Sequence, residues 1–208
     1  MKNKILKGFV VIEGLDGAGT TTQLDNITEY LSKKNIPHSR TFEPTDQKTG
    51  LFLRKVLSGE IPLEQETIAY LFAADRHEHI FGKTGKGIIS LLKNNDYVIC
   101  DRYLFSSIAY QSIGADPELV LELNSRFPLP EFLVFVDVPV EECQRRLKNR
   151  NSGKDIYDDI EYQRKVLTYY NRSIDFFKET PMKLIRVEGT ESREKITEEI
   201  IERVFCDR

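Results

Sequence analysis

Short runs of apolar residues alternate along this chain with longer segments that contain both apolar and polar residues. Runs of this kind occupy residues 9–12, 97–100, 132–136 and, with one polar interruption, 184–187. Each run is too short for a helix and too continuous for a half-exposed strand. The runs therefore predict strands that are buried on both faces of a parallel sheet. A weaker segment at residues 38–42 predicts a fifth strand.

The segments between these runs show helical periodicity. After the first strand, Leu24, Ile27 and Leu31 fall on one helical face. The same spacing recurs in three later segments, residues 140–148, 160–177 and 193–204. Because strands alternate with helices, we expect right-handed βαβ crossovers. The predicted fold class is α/β, a sandwich in which a five-stranded parallel sheet carries helices on both faces, within one domain spanning residues 1–208.

Composition narrows the classes of function. The chain has 208 residues, of which 40% are hydrophobic and 30% charged, a balance typical of a globular domain. A net charge of −3 gives no support to a nucleic-acid binder. No apolar run approaches the roughly 20 residues of a membrane span. Three widely separated cysteines favour reduced thiols, so a cytoplasmic protein is expected.

A glycine-rich segment directly follows the first predicted strand. Its residues are Gly14, Leu15, Asp16, Gly17, Ala18, Gly19, Thr20, Thr21 and Thr22. Glycines let backbone N–H groups close around phosphate oxygens, and the following helix adds its positive N-terminal end. In the pattern G-x-x-x-x-G-K-[ST], Thr21 takes the position that binds Mg²⁺, but Thr20 replaces the lysine. We expect ATP and Mg²⁺ to bind here; a glycine-rich turn without a ligand is the alternative.

Three polar clusters follow at characteristic places. Glu43 and Pro44 end the second strand, and Arg54 follows about one helical segment later. Phe72 and Arg76 share a helical segment. The third cluster begins where the strand at residues 97–100 ends and contains Asp101, Arg102, Tyr103, Ser106, Ser107, Tyr110 and Gln111. Ligands of open α/β sheets bind outside the carboxyl ends of the strands, so these clusters mark a candidate binding site.

Four segments, taken in their order along the chain, resemble the thymidylate kinase family. They are the glycine-rich loop, residues 72–76, residues 101–111 and the strand segment 133–139, and the match covers nearly the whole chain. The resemblance implies a P-loop NTPase-type fold and transfer of the γ-phosphoryl group of ATP to dTMP, giving dTDP and ADP with Mg²⁺ as cofactor. It also implies a homodimer.

The resemblance assigns roles on the acceptor side. Phe72 is expected to stack on thymine, and Arg76 to donate to an exocyclic carbonyl oxygen. Arg54 and Arg102 are expected to clamp the acceptor phosphate, and Tyr110 to lie against the deoxyribose. Further expected dTMP contacts are Asp16, Glu43, Pro44, Ser106, Ser107, Gln111 and Tyr157. Asp16 would face the acceptor sugar or a Mg²⁺-bound water, and the expected metal contacts are Thr21, Asp101 and Asp158.

A basic segment resembles the mobile lid of nucleotide kinases. It spans about residues 145–158 and contains a glycine. The family keeps a catalytic arginine either in the phosphate loop or in the lid. Gly17 and Ala18 carry no such charge, so Arg146 and Arg150 are the candidates, with Lys154 third. A solvated helix end is the alternative interpretation of this segment.

Two other functions stay open at the level of the sequence. The first is a related kinase with another acceptor, such as a deoxynucleoside or UMP/CMP. A deoxynucleoside acceptor would need a carboxylate base, which Glu43 or Asp101 would have to supply. A non-catalytic nucleotide-binding module is the second alternative, because Thr20 stands at the lysine position. Taken singly, Phe72 could also be a core aromatic and Arg76 a solvated helix charge.

Overall fold

A five-stranded parallel sheet forms the centre of the computed structural model, which describes residues 3–83, 85–149 and 160–206. The spatial order of the strands is β2-β3-β1-β4-β5. Their bounds are β1 (Ile5–Glu13), β2 (His38–Phe42), β3 (Tyr97–Asp101), β4 (Leu129–Asp137) and β5 (Lys183–Glu188). All neighbouring pairs are parallel, which confirms the predicted sheet.

Helices connect the strands and flank the sheet. Their bounds are α1 (Thr20–Lys33), α2 (Lys48–Leu57), α3 (Gln65–Phe81), α4 (Ile88–Leu91), α5 (Leu104–Gln111), α6 (Pro117–Ser125), α7 (Val140–Lys148), α8 (Ile160–Phe177) and α9 (Arg193–Phe205). Helix α1 packs against α9, whereas α5 packs against α3, α6 and α8. The described helices include none that is long and apolar enough to cross a membrane. The three later helical segments are confirmed, and α9 extends one residue beyond its predicted end.

The central strands and the last strand differ in how continuously their residues are buried. Residues 8–13 of β1 are buried without interruption, as expected for a strand covered on both faces. The same expectation is wrong for β5, where Ile185 and Val187 are buried but Leu184 is 39% exposed. Strand β5 lies at the edge of the sheet, so its burial alternates from one residue to the next.

The strand register brings polar residues together at one edge of the sheet. Ile12 of β1 and Phe42 of β2 both pair with Asp101 of β3. The backbone N–H of Arg102 donates to the Ile12 carbonyl at 3.0 Å, and that of Glu43 donates to the Asp101 carbonyl at 3.1 Å. The residues that follow these strand ends therefore lie around a common opening.

Candidate functional site

The glycine-rich loop joins β1 to α1 in a conformation that needs glycine. Gly17 and Gly19 have φ angles of 87° and 95°, which side-chain-bearing residues rarely adopt. A Cβ on Gly17 would also lie 2.6 Å from the carbonyl oxygen of Cys143. Helix α1 begins at Thr20, so its free backbone N–H groups lie directly behind the loop. The loop thus has the architecture of an anion site.

Thr21 and Asp101 meet beside this loop. The Thr21 hydroxyl donates to Oδ2 of Asp101 at 2.6 Å. The other carboxylate oxygen, Oδ1, is buried and has no hydrogen-bond partner among the described residues. A carboxylate with one free oxygen next to a threonine hydroxyl is a donor set that suits a hard divalent cation. Asp158, the third expected metal contact, lies outside the described residues.

A cavity of about 360 Å³ opens on one side of the loop. It is lined by the acceptor-side residues predicted from the sequence within the described part of the chain, namely Asp16, Glu43, Pro44, Arg54, Phe72, Arg76, Arg102, Ser106, Ser107, Tyr110 and Gln111. Three further residues complete the lining: Tyr103, which belongs to the third sequence cluster, and Leu57 and Ser58, which the sequence did not predict. Tyr157, the remaining predicted contact, lies outside the described residues.

Arg102 lies at the turn between β3 and α5. Its φ of 66° is unusual for a residue with a side chain, and such conformations cluster at functional sites. Its Nη1 donates to the Tyr170 hydroxyl at 3.1 Å and to Ser106 Oγ and the Gly14 carbonyl at 3.3 Å each. Its Nη2 forms an ion pair with Asp16. The guanidinium is thereby held at the entrance of the phosphate loop.

Tyr110 forms part of the same wall. The guanidinium of Arg102 lies 5.3 Å from the centre of the Tyr110 ring, and the Tyr110 hydroxyl accepts a hydrogen bond from the Asp16 N–H at 3.2 Å. Burial, together with the Asp16 carboxylate, raises the pKa of Tyr110 well above its usual range. Tyr110 is therefore a neutral hydroxyl beside Arg102.

Arg76 is buried rather than solvated. Its Nη2 donates to Glu43 Oε2 at 2.6 Å and to Ser107 Oγ at 2.8 Å, and its Nη1 donates to Asn124 Oδ1. The other oxygen of Glu43 lies 2.9 Å from Nδ1 of His79. Glu43 is thus held in a buried ion pair, which argues against its use as a general base.

Arg54 and Phe72 lie on the outer wall of the cavity. The Nη2 of Arg54 donates to the backbone carbonyls of Pro44 and Thr45, and its guanidinium lies 5.3 Å from the centre of the Phe42 ring. Phe72 is half-buried against a small apolar cluster. It is therefore not an ordinary core aromatic, because part of its ring lines the cavity.

Glu13 is a member of the site that the sequence patterns did not reveal. Its buried carboxylate accepts hydrogen bonds from the backbone N–H groups of Tyr103 and Ser106 at 2.8 and 3.1 Å, and from the hydroxyls of Ser106 and Tyr170. Burial raises the pKa of Glu13 to about 7, although Arg102 and these donors act in the opposite direction. The available signal was an acidic residue at the end of an otherwise apolar strand.

A second cavity of about 470 Å³ lies on the other side of the phosphate loop. It is lined by Gly17, Ala18, Gly19, Thr22, Gln23, Glu142, Arg145, Arg146, Asn149, Gly189, Thr190, Glu191, Ser192, Arg193 and Ile196. The part contributed by residues 189–196 was not predicted, although it follows the carboxyl end of β5, where ligands of such sheets bind.

Arg146 bridges the two walls of the second cavity. It donates to the Ala18 carbonyl at 3.3 Å, to the Gly189 carbonyl at 2.9 Å and to Glu142 at 2.8 Å. Hydrogen bonds from Arg145 and Arg146 lower the pKa of Glu142 to about 2. Of the predicted lid, only residues 145–149 can be placed; Arg150 and Lys154 lie outside the described residues.

Comparison with known proteins identifies the family. The profile described as "Thymidylate kinase" matches residues 12–200. A thymidylate kinase of Leptospira interrogans is 35% identical over 206 residues, covering 97% of this chain and 95% of the relative. A "probable thymidylate kinase" of Pyrococcus abyssi is 37% identical over 199 residues, covering 93% of each chain. The chain belongs to the thymidylate kinase family.

Proposed function

We propose that the protein transfers the γ-phosphoryl group of ATP to dTMP and releases dTDP and ADP. The first cavity carries this proposal. The guanidinium of Arg102 lies there beside the phosphate loop, and the lining residues Arg76 and Gln111 each have a buried polar atom without a hydrogen-bond partner among the described residues. Family membership supports the same reaction.

Two unpaired atoms match the edge of thymine. Nε of Arg76 is a donor and Oε1 of Gln111 is an acceptor, and both are buried without a hydrogen-bond partner among the described residues. Thymine offers O4 as an acceptor and N3–H as a donor. Cytosine reverses both, with an amino donor and a ring-nitrogen acceptor, and would leave both protein atoms unsatisfied. The pair therefore favours a thymine or uracil base.

The acceptor phosphate would lie between Arg102 and Arg54. A phosphate monoester has a second pKa of about 6, so the attacking oxygen is already anionic and no general base is needed. The remaining task is to hold two polyanions in line, which the two guanidinium groups and the loop N–H groups perform by position and charge. A planar guanidinium binds phosphate through two parallel hydrogen bonds.

The donor would occupy the second cavity, with its phosphates over the loop. Residues 189–192 would face the nucleoside part of ATP, because they line that cavity beyond the end of β5. Mg²⁺ would be held by Thr21 and Asp101 and would neutralise charge on the β- and γ-phosphates. Thr20 supplies no charge there, so a lid arginine, Arg146 or Arg150, would add it.

An ADP-release assay with four acceptors tests this proposal. We expect dTMP to be the best acceptor, dUMP to follow, dCMP to have a kcat/KM lower by about 100-fold or more, and thymidine to be inactive. Dominant turnover of dCMP or thymidine would overturn the base or phosphate assignment. Nucleotide binding without turnover of any acceptor would favour the non-catalytic module.

We also propose that the protein is a homodimer, as the family resemblance implies. Helices α2 and α3 pack against each other and expose large apolar side chains, with Leu51 51%, Phe52 39% and Tyr70 52% exposed. Light scattering should give twice the 24.1 kDa chain mass. Leu51→Lys should reduce that mass to one chain, and a monomeric parent protein would refute the proposal.

A further inference from the structure

Tyr170 of α8 lies beside Arg102 and the start of the phosphate loop, although it is distant from both in the sequence. The residue is fully buried, and its hydroxyl accepts a hydrogen bond from Nη1 of Arg102 at 3.1 Å. The same oxygen lies 2.9 Å from Glu13 Oε2, 2.8 Å from Ser106 Oγ and 3.1 Å from the Gly14 carbonyl. One phenol thus contacts the end of β1, the start of the phosphate loop, α5 and the arginine.

The chemistry of these partners orients the hydroxyl. A guanidinium only donates, so Arg102 must meet a lone pair of the Tyr170 oxygen. The single phenolic hydrogen is then available to the Gly14 carbonyl, to the ionised Glu13 carboxylate or to Ser106 Oγ, each of which can accept it. Burial raises the pKa of Tyr170 well above its usual range, and this keeps that hydrogen in place. Contacts with Arg102, Glu13 and Gly14 therefore hold the hydroxyl in place.

We propose that Tyr170 is a positioning residue for phosphoryl transfer, acting through Arg102. Its hydroxyl fixes Nη1, so that the rest of the guanidinium faces Asp16 and the acceptor-phosphate side of the cavity. This inference rests on the proposed function, in which Arg102 binds the acceptor phosphate. If the Tyr170 hydroxyl is removed, the Arg102 guanidinium keeps its charge and still attracts the phosphate. It loses the fixed orientation that matters most when the two phosphates are in line.

Tyr170→Phe removes the hydroxyl and keeps the ring. The ring packs edge-on against Tyr110 at 6.1 Å and against Phe135 at 5.3 Å between centres, and phenylalanine preserves both contacts. We expect kcat to fall about tenfold or more, while KM for ATP changes by less than about threefold. Tyr169→Phe, which removes the hydroxyl of a half-buried neighbour on the same helix, is the matched control and should retain wild-type kcat.

A double-mutant cycle with Arg102→Ala separates positioning from a structural role. If Tyr170 acts through Arg102, Tyr170→Phe should change kcat by less than about twofold once Arg102 is alanine. Losses that multiply in the double variant, or an unchanged kcat in Tyr170→Phe, overturn the inference. The cycle uses the best acceptor found for the wild type. A best acceptor other than dTMP therefore overturns the substrate assignment alone, whereas a wild type without any acceptor overturns both.

Discussion

At the scale of single residues, the site contains a carboxylate whose charge is costly to bury. Glu13 has a pKa of about 7 in the folded protein, against an ordinary value of 4.5, because burial outweighs the influence of Arg102 and of its hydrogen-bond donors from α5 and α8. Between these pH values the folded protein binds more protons at Glu13 than the unfolded chain does. The stability contributed by Glu13 is therefore fully present below pH 4.5 and is lost as the pH rises through about 7.

Glu13→Gln tests this dependence. The variant keeps the shape of the side chain and removes its titration, so the wild type should lose stability relative to the variant between pH 5 and pH 8. The relative loss should reach up to about 3 kcal/mol. Urea unfolding of both proteins at the two pH values measures it, and other titrating groups cancel in the comparison. A difference in unfolding free energy that is independent of pH would contradict the assigned pKa.

Tyr110 carries the expected discrimination between sugars. Its ring is held beside Arg102 and Asp16, so a rigid surface faces the acceptor sugar in the proposed binding mode. Exclusion of one hydroxyl contributes a few kcal/mol at most. Tyr110→Ala should weaken dTMP binding and raise the efficiency of the ribonucleotide relative to dTMP by about tenfold. Competition assays give this ratio directly, and an unchanged ratio would assign selectivity to another residue.

At the scale of elements, α7 and the residues that follow it should supply the positive charge that a lysine in the phosphate loop usually supplies. Arg146→Ala and Arg150→Ala, made separately, should show at least one loss of kcat of about 100-fold with little loss of ATP binding. Thr20→Lys should partly restore the damaged variant, since both cations act on the same phosphates.

The control for these variants is Arg164→Ala, which removes an exposed arginine of α8 that pairs with Glu141 and Glu161. This control should retain normal kcat. Full activity of the double variant Arg146→Ala/Arg150→Ala would refute the shared role of the lid cations.

The strands and helices were predictable where burial leaves a simple pattern. Buried parallel strands such as β1 and β4 consist of apolar runs, and their alternation with helical segments predicted the sheet. The exposure of one face of β5 was not predictable, because an edge position is a property of strand order rather than of local sequence.

The candidate site was only partly predictable, for a related reason. Arg102 and Tyr110 follow a strand end in a recognisable motif. Glu13 and Tyr170 are separated by 157 positions and carry no local motif, so only the folded chain shows that they meet. The burial of Arg76 likewise depends on partners from α5, from α6 and from the residue that follows β2.

At the scale of the whole molecule, the sheet places two cavities on opposite sides of one phosphate loop. The first contains the Arg102 clamp and the unpaired atoms of Arg76 and Gln111; the second contains Arg146 and the segment after β5. Two nucleotides bound in this way would direct their phosphates toward the same loop. Such a shape suits direct transfer between two bound nucleotides.

The most direct test of this account follows the phosphoryl group itself. ATP labelled in its γ-phosphate is mixed with dTMP and the wild-type protein, and the products are separated by chromatography. We predict that the label appears in the β-phosphate of dTDP, in an amount equal to the ADP formed and with little free phosphate. Label released only as inorganic phosphate, or bound ATP that stays unchanged in the presence of dTMP, would contradict the account.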